Sequence, residues 1–415
     1  MAFTVFTISG YVFIKSPGHE VPMSVVLVVV VPPSNIPLYF VVSSIICTEE
    51  YVNGSYIVAN DITFPDNMYW TDPIGVNDTV YSTSSSTFRG EFDGQGYTIR
   101  NLKIKNGDTV HNHYGLFGQL SGGEIKNLNL ENVTVDCTAN YYGTIAGSMN
   151  DSHISMCTVS GSINVPKLYH AGGMVGRSYD STIEKCINYA DIVSSAYYVG
   201  GICGTNNGTV NNCANFGEIT ANKVQRAGGI VGGDVSDNTV TNCFNAGNVS
   251  GSAEFEINSV AGYANTCVNN YYLDTTGTDN RATPKTLEQF KSGEVAHLLN
   301  KNVAIPAWAW FQNLDNGKTP DDFPTLNFTR DNVVLKVNRE DRTYSNIPNK
   351  FLLGDADLDG SVTIMDATII QMHCAQLYEL TGMALVNADT TKDKTISISD
   401  ATRIQAYIAG ILKEL

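Results

Sequence analysis

A short glycine-rich motif recurs along the middle of the chain at an almost constant interval. Its variants include YGLFG at 114–118, GGMVG at 172–176 and GGIVG at 228–232. The last glycines are 29, 29, 28, 28 and 30 residues apart: Gly118, Gly147, Gly176, Gly204, Gly232 and Gly262. The intervals hold only short alternating apolar runs, which leave no room for a pair of helices. Such a repeat predicts a β-solenoid in which each repeat forms one coil of short strands and turns.

Two further sets of residues recur with the glycines. The first set lies about ten residues after the last glycine of each motif and consists of Leu128, Cys157, Cys186, Cys213 and Cys243. The second set lies two residues further on in three of the repeats and consists of Asn188, Asn215 and Asn245. Because stacked coils place equivalent residues about 4.8 Å apart, these sets become ladders. We expect asparagines to hydrogen-bond to the next coil and paired glycines to adopt φ > 0 at sharp bends. Equally spaced cysteines cannot all pair, so we favour a free buried ladder over disulfide bridges.

The repeats resemble a known family. Asn212–Gly217 (NCANFG) and Asn242–Gly247 (NCFNAG), together with the entry segment Phe88–Tyr97 (FRGEFDGQGY), are similar to the GLUG-repeat proteins of bacterial cell surfaces. The resemblance covers about residues 48–329. It implies a mostly β, right-handed parallel β-helix on an exported protein, and it implies no reaction.

The repeats are followed by a different pattern. Residues 286–300 (TLEQFKSGEVAHLLN) have the apolar spacing of one amphipathic helix, with Thr286 as its N-cap. A solenoid needs its last coil covered, because that coil presents unpaired strand edges. We therefore assign residues 48–275 to the β-helix, 276–329 to its C-terminal cap and 330–350 to a linker.

The last part of the chain contains a duplicated acidic loop. Residues 354–371 (GDADLDGSVTIMDATIIQ) are echoed 34 residues later by residues 388–405 (ADTTKDKTISISDATRIQ). Oxygen-bearing side chains fall at alternate positions of a twelve-residue turn, where Ca²⁺ needs six to eight oxygen ligands. The candidate calcium ligands are Asp355, Asp357, Asp359, Ser361, Thr363 and Asp366, and then Asp389, Thr391, Asp393, Thr395, Ser397 and Asp400.

This doubled loop–helix pattern, with no helix before the first loop and Asp in twelfth place, resembles a type I-like cellulosomal dockerin over residues 351–415. The resemblance implies a small all-α module that binds two calcium ions and docks onto a cohesin module of a scaffold protein. We expect the second site to be weaker, because Thr391 replaces an acid or amide and Lys394 replaces a glycine. The family's recognition positions correspond to Ile364, Met365, Gln371 and Met372 in the first copy, and Ile398, Ser399, Gln405 and Ala406 in the second. The near-duplication is compatible with docking in two orientations related by a pseudo-twofold axis, although Ile364–Met365 in the first copy and Ile398–Ser399 in the second make the two faces unequal.

Charge and the N-terminus limit the cellular context. The chain has 41 Asp and Glu against 25 Lys and Arg, a net charge of −16, which argues against a nucleic-acid partner. The apolar run 25–31 has the length of a signal-peptide core, but no A-x-A cleavage site follows it. We interpret residues 1–47 as a degenerate export signal or a misassigned start, with a membrane anchor left open. We expect a secreted protein, or one held at the cell surface through its scaffold.

No catalytic signature emerges from the sequence. No G-x-S-x-G occurs, and we interpret His111 and His113 as lying on a solvated loop. The acids of the solenoid, such as Asp180 and Glu184, are not shown to converge, although Arg177 or Arg226 would supply the basic group of a polysaccharide lyase. One further pattern is an aromatic strip before the glycine motif: Tyr141, Tyr142, Tyr169, His170, Tyr197 and Tyr198. The strip is a candidate glycan surface, although packing between coils is the favoured interpretation.

The sequence is compatible with two functions from different classes. The first is a subunit of a cellulosome-like polysaccharide-degrading complex, with the β-helix as a binding or adhesive module. We expect the protein to be a monomer apart from its attachment to the scaffold. The alternative is a carbohydrate-active enzyme, a polysaccharide lyase or glycoside hydrolase, with its site on the β-helix. A third hypothesis, an accessory region like the repeats of immunoglobulin A peptidases, lacks support because H-E-x-x-H does not occur.

Overall fold

The computed structural model describes residues 4–8, 11–15, 24–28, 53–58, 60–76, 87–108, 111–166, 169–233, 238–301, 309–314, 320–326, 332–338, 343–348, 352–357, 361–380 and 382–415. The chain divides into two compact units, Met1–Pro284 and Lys285–Leu415. The first unit is a β-solenoid of about six turns, and helices are concentrated in the second. The mostly β fold predicted from the repeat is therefore confirmed.

The solenoid strands belong to two sheets, and successive coils pair in parallel. The described strands of the first sheet are Thr4–Ile8, Tyr11–Lys15, Ser24–Val28, Ser55–Val58, Glu91–Asp93, Phe117–Ser121, Glu124–Lys126, Ala146–Asn150, His153–Ser155, Val175–Glu184, Cys203–Asn211, Thr239–Thr241 and Thr266–Val268. Those of the second are Ile62–Thr63, Thr98–Arg100, Lys103–Lys105, His113–Tyr114, Asn129–Asp136, Tyr141–Gly143, Thr158–Val165, His170–Gly172, Ile187–Asn188, Asp191–Ser194, Tyr198–Gly200, Ala214–Asn215, Ile219–Gly228, Phe244–Asn245, Val249–Asn258, Tyr271–Leu273 and Thr283–Lys285.

Part of the segment interpreted as an export signal lies in the first sheet. Ser24–Val28 pairs in parallel with Ser55–Val58, and Thr4–Ile8 and Tyr11–Lys15 extend the sheet in antiparallel fashion. Whether residues 1–47 direct export stays a prediction. Among the described residues, no helix is both long and apolar enough to cross a membrane.

Inward-facing residues form the core as continuous ladders. In the first sheet, one register column runs Phe92, Ile125, Ile154, Ile183, Val210, Val240 and Cys267. The predicted cysteine ladder is confirmed, because Cys157, Cys186, Cys213 and Cys243 are free and fully buried. Burial raises the pKa of the Cys186 and Cys213 thiols well above the usual value, so both are inert packing residues.

The asparagine ladder forms as expected. Asn188 Nδ2 donates to Asn215 Oδ1, and Asn215 Nδ2 donates to Asn245 Oδ1, each at 2.8 Å. Each amide nitrogen also donates to a carbonyl two residues on, as Asn215 does to Gly217 at 2.9 Å. All three side chains are fully buried, so the ladder satisfies amide groups that would otherwise be costly to desolvate.

The predicted reason for the paired glycines is wrong. Gly200 and Gly201 do not have positive φ angles. Instead, a Cβ on Gly201 would lie 2.1 Å from the Gly229 carbonyl oxygen and 2.6 Å from Asn215 Cγ. Glycine is required because the next coil passes too close for a side chain. The left-handed residue of each coil instead precedes the cysteine column, with φ between 52° and 58°: Asn127, Met156, Lys185, Asn212, Asn242 and Asn269.

The second unit contains helices α1 (Leu287–Lys291), α2 (Glu294–Asn300), α3 (Ile364–Cys374), α4 (Gly382–Ala388) and α5 (Ile398–Ile408). The single helix predicted over 286–300 is wrong, because Gly293 adopts φ 85° and divides it into α1 and α2. The predicted N-cap is confirmed: Thr286 and Gln289 form a capping box.

The segment expected as a linker contains an antiparallel hairpin, Asn332–Asn338 with Thr343–Pro348. Asn346 ties this hairpin to the preceding segment, since it donates to the Gln312 carbonyl at 2.7 Å and accepts from Leu314 N at 2.6 Å. Phe311 belongs to the buried cluster formed by the three C-terminal helices. That residues 276–329 cap the solenoid stays a prediction.

Candidate functional site

The first acidic loop brings three carboxylates together. One oxygen each from Asp355, Asp357 and Asp366 lies within 4.8 Å of the other two. Two oxygens that bind the same calcium ion at 2.3–2.6 Å are at most about 5 Å apart, so this spacing fits a shared ion. Carboxylates this close repel one another unless a cation balances them. Asp359 of this loop lies outside the described residues, and Ser361 is exposed.

Asp366 connects the two ends of the first loop. Its Oδ1 accepts hydrogen bonds from the backbone amides of Ala356 at 2.6 Å and Asp357 at 2.9 Å. Its Oδ2 accepts from the amide of Thr363, the N-cap of α3, at 2.7 Å, which completes a capping box. The side chain is fully buried, and one residue therefore closes the loop and begins the helix.

The second loop repeats this arrangement at equivalent positions, with Thr391 and Ser397 in the places of Asp357 and Thr363. Asp400 Oδ1 accepts from Thr391 N and Thr391 Oγ1, each at 2.9 Å, and Oδ2 accepts from Ser397 N at 2.9 Å. Burial raises the pKa of Asp400, but the hydrogen bonds from Thr391 and Ser397 outweigh it and hold the pKa below its usual value. Asp389 accepts from the amides of Asp393 and Lys394 at 3.1 and 2.9 Å. Asp393 itself is exposed and accepts from Thr395 Oγ1 at 2.7 Å.

Lys394 occupies the sharp turn of the second loop with φ 66°, a conformation that costs a non-glycine residue about 1 kcal/mol. We expect Lys394→Gly to tighten calcium binding at the second loop about fivefold, because it removes that strain and a nearby positive charge. Calorimetric calcium titration of the full-length protein measures the change. Lys394→Gln, which removes only the charge, separates the two contributions, and an unchanged affinity in Lys394→Gly would contradict the explanation.

The recognition positions carried over from the dockerin resemblance are largely accessible. Ile364, Met365 and Ile398 are 53–55 % exposed, although each is apolar. Met372 and Ser399 are also exposed, while Gln371, Gln405 and Ala406 are half-buried. The sequence reasoning missed further exposed apolar residues of the same module: Leu377, Tyr407, Ile408 and Ile411. Exposed apolar side chains that lie together are a common feature of surfaces that bind other proteins.

The aromatic strip of the solenoid is only partly a surface. Its register stacks His113, Tyr141, His170 and Tyr198, with ring centres 4.6, 5.0 and 5.5 Å apart and nearly parallel planes. Because the ring faces point along the solenoid axis at each other, the ladder offers ring edges to solvent. These rings therefore pack between coils, as the favoured interpretation expected.

Two residues require correction. Tyr142 is fully buried and its hydroxyl bonds to Thr144 Oγ1 at 2.9 Å, so it was wrong as a glycan contact. His113 does not lie on a solvated loop, since it is buried in the ladder and its Nδ1 is 3.0 Å from Ser148 Oγ. Sequence reasoning missed both because the inward or outward direction of a residue depends on where each strand begins.

Tyr169 and Tyr197, one position before the ladder, are the exposed members of the strip. They are 48 % and 47 % exposed, and their rings meet edge-to-face at 5.3 Å. His170 beside them has its pKa lowered to about 3, first by burial and then by the positive charge of Arg177, so it is neutral at ordinary pH. An aromatic surface without a charged imidazole is thus available on two neighbouring coils.

A separate polar cavity of about 530 Å³ lies on the first sheet. His153 stands between two carboxylates, with Nε2 3.4 Å from Glu184 Oε1 and Nδ1 4.0 Å from Glu124 Oε1. The contact with Glu184 raises the pKa of His153, and the same contact lowers the pKa of Glu184. Sequence reasoning named Glu184 but missed Glu124 and His153, although their 29-residue separation places them in one column of adjacent coils.

Comparisons with known proteins give a domain family for residues 353–409 and a likeness of fold for the solenoid. Residues 353–409 match the model of the dockerin type I domain. Over 187 residues the chain is 33 % identical to Halomucin of Haloquadratum walsbyi, a match that covers 45 % of this chain and 2 % of that relative's length. A candidate immunoglobulin A1 protease structure from Bacteroides ovatus has a TM-score of 0.51 at 20 % identity, covering 67 % of this chain and 87 % of that one.

The likeness to the Bacteroides ovatus structure concerns the fold of the solenoid alone, because the sequence identity is low. An IgA1 protease structure matches with a TM-score of only 0.35, over 25 % of its length, and carries no argument. The family match and the geometry of the two loops agree on the C-terminal module. Residues 353–409 are a dockerin type I domain, a class of domain that binds calcium and a cohesin module.

Proposed function

We propose that this protein is a secreted subunit of a cellulosome-like, polysaccharide-degrading complex. Its dockerin attaches it to a cohesin of the scaffold, and its β-solenoid serves as a polysaccharide-binding module. The observation that carries the proposal is the cluster of Asp355, Asp357 and Asp366 within the residues that match the dockerin model.

Each loop is proposed to hold one calcium ion through its own oxygen atoms. In the first loop Asp355, Asp357 and Asp366 would hold the ion, and in the second Asp389, Thr391 and Asp400 would do so. Calcium, when bound, would neutralise the clustered carboxylates and link the beginning of each loop to the helix that follows it. The second loop has Thr391 in place of an acid and therefore less charge, which supports weaker binding there.

The docking surface is proposed to consist of the exposed residues at the start of α3 and α5. Ile364 with Met365, and Ile398 with Ser399, occupy equivalent places 34 residues apart. Retention of the full-length protein on an immobilised type I cohesin, with calcium or with a chelator, tests the proposal. Retention that the chelator leaves unchanged would exclude calcium-dependent docking.

Polysaccharide binding is proposed for the surface formed by Tyr169 and Tyr197. Their exposed rings offer apolar area for sugar rings on adjacent coils. We expect the double variant Tyr169→Ala/Tyr197→Ala to lose at least about tenfold in affinity for plant polysaccharides, measured by affinity electrophoresis. Tyr179→Ala, which removes a ring 42 % exposed on the first sheet, is the matched control. Equal retention of all three proteins would rule this surface out.

A second candidate function, catalysis on a glycan, is favoured by the cavity around His153. Glu124 and Glu184 approach the imidazole from two sides, which provides an acid–base set on one face of the solenoid. An assay of the full-length protein on pectins, xylans and β-glucans tests it, with release of unsaturated or reducing ends as readout. Product release that persists in Glu184→Gln would exclude this cavity as the site.

A further inference from the structure

The surface beside Tyr169 and Tyr197 is the outer side of a bend between two strands of each coil. In the coil of His170, strand His170–Gly172 is followed closely by Val175–Glu184. Outward side chains from the two sides of the bend contact each other: His170 Nδ1 is 2.9 Å from Thr205 Oγ1, and His113 Nδ1 is 3.0 Å from Ser148 Oγ. We call this outer side of the bend the bend groove; it runs from the register column of His170, Tyr198 and Arg226 to the column of Ser148, Arg177 and Thr205.

Two arginines lie in the bend groove. Arg177 holds its Cζ atom 5.9 Å from the centre of the Tyr141 ring. Arg226 continues the register column of His170 and Tyr198, with Cζ 4.8 Å from the Phe255 ring centre. Because His170 and Arg226 are two coils apart and each coil advances about 4.8 Å, the two arginines belong to coils about 10 Å apart along the axis.

Neither arginine has a carboxylate in ion-pair contact within the described part of the chain. Arg226 Nε is buried and makes no hydrogen bond to described residues. Glu256, the register neighbour of Arg226 on the next coil, makes its ion pair with Arg281 at 2.8 Å, and its pKa is held below the usual value first by Arg281 and to a lesser extent by the charge of Arg226. In a chain with a net charge of −16, these two arginines place guanidinium groups beside aromatic rings on one side of the solenoid.

We infer that the bend groove selects an anionic polysaccharide, with Arg177 and Arg226 pairing its acidic groups while Tyr169 and Tyr197 pack against its sugar rings. The planar guanidinium donates two parallel hydrogen bonds to a carboxylate or sulfate group. The aromatic rings distinguish a polysaccharide from a simple anion, because they bury the apolar faces of sugars. This inference rests on the proposed polysaccharide-binding function and names the chemical class of its ligand.

The test uses the full-length protein in calcium, with polygalacturonate, dextran sulfate and neutral galactan as probes in affinity electrophoresis. We expect Arg177→Gln/Arg226→Gln to lower affinity for polygalacturonate about tenfold or more and to leave galactan binding nearly unchanged. Added salt should weaken the wild-type protein on polygalacturonate more than on galactan. Lys223→Gln removes one exposed positive charge from the same strand as Arg226, but from neither of the two columns that define the groove, and should bind as the wild type does.

The outcomes separate the inference from the function it rests on. If Tyr169→Ala/Tyr197→Ala weakens binding but the arginine variant binds polygalacturonate normally, the inference fails and polysaccharide binding stands. If Lys223→Gln weakens binding as much as the arginine variant, attraction is nonspecific and the inference also fails. Stronger binding of dextran sulfate, lost in the arginine variant, supports the groove and identifies sulfate as the favoured anion. If no variant changes binding to any probe, both the selection of anionic polysaccharides by the groove and the polysaccharide-binding function of this surface are excluded.

Discussion

Replacing Asp366 with alanine is expected to abolish calcium binding at the first loop and retention on a cohesin. The buried carboxylate accepts amide hydrogen bonds from Ala356, Asp357 and Thr363, and it lies within 4.8 Å of two further carboxylates. Loss of these hydrogen bonds to a charged group lowers the free energy of unfolding by about 3 kcal/mol. The loss of calcium-binding free energy adds to this. The loop would lose its closure and α3 its N-terminal capping box, so the surface that begins with Ile364 would lose its support.

Calorimetric calcium titration and cohesin retention of the full-length protein measure this effect. Glu414→Gln removes an exposed carboxylate of the same module outside both loops, and we expect wild-type behaviour from it. Asp400→Ala is the equivalent change in the second loop, and we expect it to remove the weaker binding event. If Asp366→Ala takes up calcium with the wild-type stoichiometry and affinity, the first loop is not a calcium site.

Replacing Asn215 with alanine is expected to destabilise the solenoid by about 3 kcal/mol or more. Asn215 is the middle member of the asparagine ladder and is fully buried. The change removes its bonds to Asn245 and Gly217, deprives Asn188 Nδ2 of an acceptor and leaves a cavity. Unsatisfied buried amide groups are costly because water cannot reach them.

Urea-induced unfolding, followed by far-ultraviolet circular dichroism, measures the shift in midpoint. Asn222→Ala is the matched control, because Asn222 is an exposed asparagine on the strand Ile219–Gly228 and its loss should change stability by less than about 0.5 kcal/mol. A midpoint for Asn215→Ala that equals that of Asn222→Ala would show that the ladder does not stabilise the coil stack.

Much of the solenoid could be predicted because a repeat of constant length constrains register. The columns of Cys186 and Asn188 were predicted from spacing, and both are buried ladders in the structure. Gly201 was expected to adopt a positive φ angle, but it is required because the next coil passes close to it. That distance between coils cannot be predicted from the local sequence. The break between α1 and α2 was also missed, although Gly293 was visible, because a glycine inside an amphipathic pattern is compatible with a continuous helix.

The candidate sites divide in the same way. The loop positions of Asp355, Asp357 and Asp366 were predicted from their order along the chain, because a twelve-residue turn brings alternate residues to one point. The sequence could not predict that Tyr142 faces inward while Tyr169 faces solvent. Nor could it predict the contact of Glu124 and Glu184 with His153, which joins residues from three coils.

By itself, then, the sequence determined which residues share a column and which oxygens share a loop, because both depend only on spacing along the chain. Tertiary structure alone decided which columns meet across a bend and which side chains are left to solvent. Those outcomes depend on the angle between consecutive strands and on which residues of each strand face the core. Neither can be predicted from the length of the repeat. Arg177 beside Tyr141 is the clearest case, because their contact exists only once the coil has turned.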